Sequence, residues 1–332
     1  DLTTIANQRS VGSFKKSDEV IAELGDRIAK YRNYTNKRLT GLDTGYRKLN
    51  EMTHGWQPGS LNIIAARPSV GKTAFAINLI YNAAVSSTTK GKTIAFFSCE
   101  MDSILIMQRL LASVSLVPIN NIQLGDLDEE LNKKVIAGMQ NLAPLPIYFD
   151  DTPNQQLGDI IAKSEKLASQ QKGRLGAIFI DYLNIIGVPY SKATESRTLQ
   201  VGLITKALKE LARKLQIPVI CLAQLSRDAD KAVASAGKGY GNAEPSLASL
   251  KESGSIEQDA DIVLMLYRGD YYKNGKTETV DENSDDYGAK VARELAASKA
   301  SGTDRFDTSV VEILIKKNRN GKTGKSYLLF EK

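Results

Sequence analysis

The octapeptide ARPSVGKT, Ala66 to Thr73, constrains this chain more than any other feature because of what flanks it. The apolar run LNIIAA precedes it and the apolar helical pattern TAFAINLI follows. A loop that joins a buried strand to a helix in this way can curl backbone N–H groups around an anion at the helix N-terminus. A lysine then reaches the outer phosphates and a hydroxyl reaches Mg²⁺. Gly71, Lys72 and Thr73 meet those needs, and Arg67, Pro68, Ser69 and Val70 complete the loop. Ala66 stands where the generic G-x4-G-K-[ST] pattern has its first glycine. An ordinary strand-to-helix turn would leave Lys72 without a reason, so nucleotide binding is expected.

The rest of the chain fits the fold that such a loop demands. Short apolar runs recur at Leu61 to Ala66, Thr93 to Ser98, Pro146 to Phe149, Ala177 to Ile180, Pro218 to Ala223 and Ile262 to Tyr267. Helical patterns at Thr73 to Val85, Ser103 to Leu116, Asp128 to Leu142, Gln155 to Gln171 and Thr198 to Leu215 alternate with them. Near-continuous apolar strands separated by helices predict an α/β fold, a mostly parallel sheet flanked by helices. After Tyr267 the pattern changes: Val310 to Lys316 and Ser326 to Phe330 flank the turn-rich NRNGKTG, which predicts a C-terminal antiparallel hairpin. Ahead of the sheet, Val20, Leu24, Ile28 and Tyr31 predict an amphipathic helix over Ser17 to Tyr34. That stripe needs cover, from its own domain or from a neighbouring subunit. Two stretches fit no element, Arg227 to Leu250 and Gly269 to Asp307; the first is read as functional and the second as a mobile insertion.

Composition narrows the chemistry. His54 is the single histidine, which leaves little material for imidazole acid–base work or zinc. Cys99 and Cys221 lie inside apolar runs, as buried hydrophobes of a reducing compartment do. No run approaches the ~18 apolar residues of a membrane span, so a cytoplasmic protein without a membrane partner is expected. The polar start at Asp1 suggests that an upstream part of the gene product is missing. A net charge of +6 is modest, which favours a narrow basic channel over a basic exterior.

Carboxylates and cations must therefore carry the work. A phosphate-binding loop needs an acidic residue at a neighbouring strand end, on the magnesium side. Asp181, ending AIFID, is preferred to Asp150 and Asp151, whose Thr-Pro sequel is turn chemistry. Glu100, directly after TIAFFSC, is either a base for attacking water or a helix-dipole partner. Lys316, Lys317 and Arg319 on the hairpin are either solvated charges or cations delivered to a neighbour's phosphates, which would require an oligomer.

Taken together, GLDTGYRKLNEMTHGWQPGSLNIIAARPSVGKTAFAINL, FFSCEM, IFIDYL, CLAQLSRD, LKESGSIEQDADIVLMLYR and IKKNRNGKTG resemble the DnaB-type replicative helicases, the RecA-fold hexameric motors of bacteria and phages. The resemblance runs from about Thr40 to the C-terminus, with residues 1–39 as a linker region and 40–332 as a RecA-like P-loop NTPase domain. It makes Ala66 the family's own variant of the loop. It implies Lys72 and Thr73 on the phosphates and Mg²⁺, Asp181 as metal-side carboxylate, Glu100 as catalytic base and Gln224 as γ-phosphate sensor. It further implies Arg109 on the nucleotide, Lys317 and Arg319 on the neighbouring subunit's ATP, and Lys251, Glu252 and Gly254 on the DNA backbone. The activity implied is ATP-driven unwinding by a homohexamer moving five-prime to three-prime on single-stranded DNA. Primase and a helicase loader would bind through parts not in this chain. A RecA-like or KaiC-like oligomeric ATPase without helicase activity is the competing reading. A non-catalytic nucleotide-binding scaffold is a third, though it would not need both Glu100 and Asp181.

Overall fold

Six apolar runs with no polar face can be buried only if helices cover both sides of the sheet they form. The computed structural model, which describes residues 14–32, 39–89, 91–188, 196–225, 245–250, 253–268 and 308–330, shows that arrangement. The strands are β1 (Leu61–Ala66), β2 (Thr93–Ser98), β3 (Ile147–Asp150), β4 (Leu175–Asp181), β5 (Val219–Gln224), β6 (Ile262–Tyr267), β7 (Ser309–Asn318) and β8 (Gly324–Phe330). They form one sheet in the order β3-β2-β4-β5-β1-β6-β7-β8. The first six are mutually parallel, and β7 and β8 join antiparallel as a hairpin.

Strand β1 shows why the run is apolar throughout. Ile64 and Ala66 join one core cluster with Phe75, Ile80, Leu110 and Val135, whereas Leu61, Ile63 and Ala65 join another with Val201, Ile204, Leu208 and Leu211. Alternate side chains face opposite layers, so both sets must be apolar.

The α-helices among the described residues are α1 (Ser17–Arg32), α2 (Arg47–Thr53), α3 (Lys72–Val85), α4 (Ser103–Ser115), α5 (Ile119–Leu124), α6 (Glu129–Leu142), α7 (Leu157–Gln170), α8 (Arg197–Leu215) and α9 (Ser253–Asp259). The patterned helices lie within about two residues of their expected bounds. Helices α2, α5 and α9 span only 7, 6 and 7 residues, too few for a period to show. The chain divides into two compact units, residues 1–40 and 41–332. In the first, α1 starts with Asp18 and Glu19 in its first turn, and Lys15 pairs with Glu23 at 2.5 Å. In the second, most of 227–250 and all of 269–307 fall outside the described residues.

Candidate functional site

The strand register aligns the chemistry. Ala66 pairs with Gln224 and Ser98 with Asp181, so the C-terminal ends of β1, β5, β2 and β4 share one edge of the sheet. In open α/β sheets this edge is where ligands bind. The loop from Arg67 to Gly71 leaves β1 there, with Val70 sunk in the core and Ser69 and Gly71 at φ 63° and 108°. Positive φ turns successive N–H groups to one side, which makes a concave anion seat at the start of α3. Ala66 is itself a regular strand residue, paired on both sides by Gln224 and Leu266, so no glycine is needed there.

The seat is furnished from the neighbouring strand. The Thr73 hydroxyl donates to Asp181 Oδ2 at 2.7 Å, and the Lys72 ammonium stands 3.5 Å from Oδ1 and 4.2 Å from the Tyr182 ring centre. Asp181 is 2% exposed, yet its Oδ1 has no hydrogen-bond partner among the described residues, the ammonium being too far for a short bond. A buried carboxylate oxygen left open beside a hydroxyl is a fit for an oxygen-preferring cation such as Mg²⁺, which takes one or two protein ligands and completes its shell with phosphate and water. Among the described residues, no group of three or more His, Cys, Asp or Glu could hold a metal without such help.

Glu100 follows β2 on a bend that Ser98 closes, its hydroxyl donating to Met101 C=O at 2.6 Å and accepting from Met101 N–H at 3.3 Å. Helix α4 begins beyond it and is capped by Asp102, which accepts from Leu105 N–H at 2.8 Å. Glu100 is therefore neither cap nor first-turn residue, and its exposed carboxylate is bonded to none of the described residues. Its charge reaches Tyr182, whose hydroxyl is pushed up by burial, then by Glu100 and Asp181. Cys99 is pushed up to about 12 by burial and by Asp181 and Asp150, so it holds its proton and is no nucleophile.

Asp150 and Asp151 do something different at the same edge. Asp150 accepts from Thr152 N–H and Oγ1, from Gln155 Nε2 and from Lys163 Nζ, at 3.0, 2.6, 2.7 and 2.6 Å. Burial pulls its carboxyl up, but the Lys163 and Thr152 bonds outweigh that and hold it below the usual range. Asp151 accepts from Ser103 N–H at 2.8 Å and so serves the start of α4, not the helix that follows it in sequence.

A cavity of about 350 Å³ opens beside the seat between α3 and α4, with Ala74 and Ile77 on one side, Arg109 on the other, and Tyr46, Leu329 and Phe330 closing it. Phe330 also lies against the loop: a Cβ on Gly71 would come within 3.1 Å of its ring, and the Arg268 guanidinium sits 5.1 Å above it. Burial pushes the Tyr46 hydroxyl up to about 12, and its ring packs 5.5 Å from Phe75. The family resemblance implied Arg109 but not Phe330 or Tyr46, which reach the site only through tertiary packing.

Gln224 ends β5 with its side-chain amide bonded to none of the described residues. Leu225, next in the chain, bridges to buried Leu250, which leads directly to position 251. Lys251 and Glu252 fall outside the described residues; Gly254 is exposed on α9 with open space where a Cβ would be.

Lys317 and Arg319 lie elsewhere. Lys317 donates to Glu257 C=O, and Arg319 donates to Gln258 C=O and stands 3.7 Å from Asp261. Partial burial and the Arg319 charge hold Lys317 below the ordinary lysine range. Asp261 accepts from Leu61 N–H, at the first residue of β1, whereas the phosphate loop follows its last. The two cations thus occupy the opposite edge of the sheet, about 17 Å from the seat by strand rise alone.

The model of the DnaB-like helicase C terminal domain family matches residues 41–332. The chain belongs to that family. It is 36% identical over 329 residues to the replicative DNA helicase DnaB of Geobacillus stearothermophilus, covering 99% of this chain and 63% of that protein. Identity and shares are the same for the replicative DNA helicase DnaC of Bacillus subtilis. This chain thus spans 63% of the length of these relatives. Among solved structures, one described as an ATPase domain superposes with a TM-score of 0.74 at 28% identity, covering 95% of both chains. A DnaB-like replicative helicase, solved for its interactions with primase, gives 0.71 at 28% identity, over 98% of this chain and 67% of that one. Membership in a DnaB-like family accords with the RecA-like sheet and hairpin described above.

Proposed function

We propose that this chain is the motor of an ATP-driven replicative DNA helicase that works as a homohexamer on single-stranded DNA. The observation that carries the reading is the separation of one phosphate site into two halves. The seat, Lys72, Thr73, Asp181 and Glu100 stand at one edge of the sheet, while Lys317 and Arg319 stand at the other. An arginine side chain reaches only about 7 Å, far short of the ~17 Å along β1, so the cations serve another copy's nucleotide and not their own.

In this reading the loop amides and Lys72 hold the β- and γ-phosphates. Thr73 and Asp181 would hold Mg²⁺, which when bound supplies positive charge against the phosphate oxygens. Glu100 accepts the proton of the attacking water, and its exposed carboxylate, bonded to none of the described residues, suits that work. The Gln224 amide answers to the γ-phosphate, and the Leu225–Leu250 bridge links it to the DNA loop at Lys251, Glu252 and Gly254. Arg109 and Phe330 flank the nucleoside in the cavity beside the seat. Primase and a loader would join through the length that the relatives have beyond this chain. The described residues include no helix long and apolar enough to cross a membrane, and a replicative role places the protein in the cytoplasm.

Unwinding of a forked duplex by the intact gene product with ATP tests the reading. ATP turnover without strand separation would instead favour an oligomeric ATPase of RecA or KaiC type.

A further inference from the structure

Asp261 immediately precedes β6 and is 7% exposed, a costly place for a carboxylate unless its oxygens are paired. Its Oδ2 takes two donors, Leu61 N–H at 2.8 Å and Lys209 Nζ at 2.5 Å. Lys209 is fixed in turn by Gly59 C=O at 2.9 Å. With Oδ2 filled from the core side, Oδ1 is left facing outward, and Arg319 Nη1 stands 3.7 Å from it. The main chain repeats the grip: Arg319 N–H donates to Asp261 C=O at 2.9 Å. Next to this pair, the Glu257 and Gln258 carbonyls in the last turn of α9 accept from Lys317 and Arg319. Helix C-termini carry partial negative charge and unpaired carbonyls, so they seat cations well. Helix α9 is itself pinned to α8: Thr205 Oγ1 donates to Asp259 Oδ2 at 2.6 Å, and Ser255 packs against Gly202. Thr205 and Lys209 are four apart and share one face of α8, so a single helix face braces both parts of the seat.

We propose that Asp261 is a positioning residue for the trans-acting hairpin, its carboxylate locked by Lys209 and Leu61 so that Arg319, and beside it Lys317, are presented at a fixed place to a neighbouring copy's nucleotide. Arg319 remains 42% exposed while held, which leaves N–H groups for a second acceptor. The inference rests on the reading of Arg319 as a trans cation, and its effect belongs to the neighbour's pocket and not to the pocket of the chain that carries Asp261.

That asymmetry is the test. Full-length Arg319→Ala subunits, which keep a working pocket but bring Lys317 without the arginine, are mixed with Glu100→Gln subunits, which bring both cations but have a silent pocket; subunit exchange is shown independently, and ATP turnover is read. Recovered turnover establishes the trans reading, and its absence removes that reading before Asp261 is at issue. Given recovery, donors carrying Glu100→Gln with Asp261→Asn should support about 10²-fold less turnover, the scale of an ångström-level misplacement, at unchanged KM for ATP. Acceptors carrying Arg319→Ala with Asp261→Asn should recover as well as acceptors without the Asp261 change. Donors with Asp261→Glu, which keeps the charge, should recover better than those with Asp261→Asn. Undiminished recovery with Asp261→Asn donors, or an equal loss when the same change sits in the acceptor, overturns the proposal. Should Asp261→Asn donors fail to assemble, Thr205→Val donors decide: loosening of α9 predicts about tenfold lower recovery, and full recovery counts against the seat.

Discussion

The two edges of the sheet are built on opposite terms. At the C-terminal edge the acceptor is unfinished, since Asp181 Oδ1 and the side chains of Glu100 and Gln224 are bonded to none of the described residues, and the loop carries positive φ at Ser69 and Gly71. At the N-terminal edge the acceptors are filled: each oxygen of Asp261 faces a cation, and the Glu257 and Gln258 carbonyls of α9 accept from Lys317 and Arg319. On the proposed reading one edge receives charge and the other holds it for delivery. The β7–β8 hairpin touches both, with Phe330 on its own chain's Gly71 and Arg319 at the far end of the sheet. On the proposed trans reading, acceptor and donor halves about 17 Å apart in one chain are brought together by another copy.

The largest effect that could break this contrast is Lys72→Ala. ATP turnover should fall to background while the fold persists, because Phe75, Ile77 and Ile80 bury α3 without the ammonium. Normal turnover in the purified variant would mean that the receiving edge has been misplaced. Next comes Arg319→Ala, expected to cost ~10³-fold in turnover, the scale of an arginine finger, while nucleotide binding to the same chain's pocket is retained. A loss of nucleotide affinity in a titration of that variant would show the cation acting on its own seat.

How far the sequence already carried this contrast differs between the edges. The receiving edge was legible because it is local: ARPSVGKT, FFSCEM and IFIDYL each place their residue within a step or two of a strand end, and strand ends were marked by apolar runs. The choice of Asp181 over Asp150 rested on turn chemistry, and Asp150 accepts from Thr152 and Gln155 in that turn. The delivering edge was half legible. Lys317 and Arg319 were picked out by the hairpin, but their seat joins residues from α8, α9 and the ends of β1 and β6, and α9 is too short to show a period. Nothing local distinguishes Asp261 from an ordinary strand-start carboxylate. Phe330 was hidden for the same reason, because its contact with Gly71 spans almost the whole domain.

Two intermediate effects sharpen the picture. Phe330→Ala removes the ring shared by the cavity and Gly71; nucleotide affinity should drop about tenfold, the worth of one aromatic contact (~1.4 kcal/mol). A drop equal to that of Lys72→Ala would instead mean that the ring supports the loop's shape. Lys251→Ala should weaken binding of every single-stranded sequence alike and lower the salt slope by about 0.7, the share of one phosphate contact. An unchanged slope would leave Lys251 a solvated residue and detach the DNA loop from the Gln224 side.

The smallest expected effect separates the two aspartates of the receiving edge. Asp150 is a satisfied carboxylate and Asp181 an unsatisfied one, so only the second should matter to the phosphates. Asp150→Asn is expected to leave turnover nearly unchanged and to cost about 1 kcal/mol of stability at neutral pH, through weakened bonds to Lys163 and Thr152. The sign follows from its lowered pKa. A carboxyl held below its unfolded value contributes stability that is fully present above that value, near pH 4, and is lost as pH falls through the folded one. Urea midpoints measured between pH 7 and pH 2 should therefore fall less steeply on the acid side for Asp150→Asn, the two curves converging at the lowest pH. Asp181→Asn, by contrast, should abolish turnover at every pH where the chain is folded. If Asp150→Asn silenced the enzyme and Asp181→Asn did not, the metal-side role would pass to β3, and the open Oδ1 of Asp181 would lose its explanation.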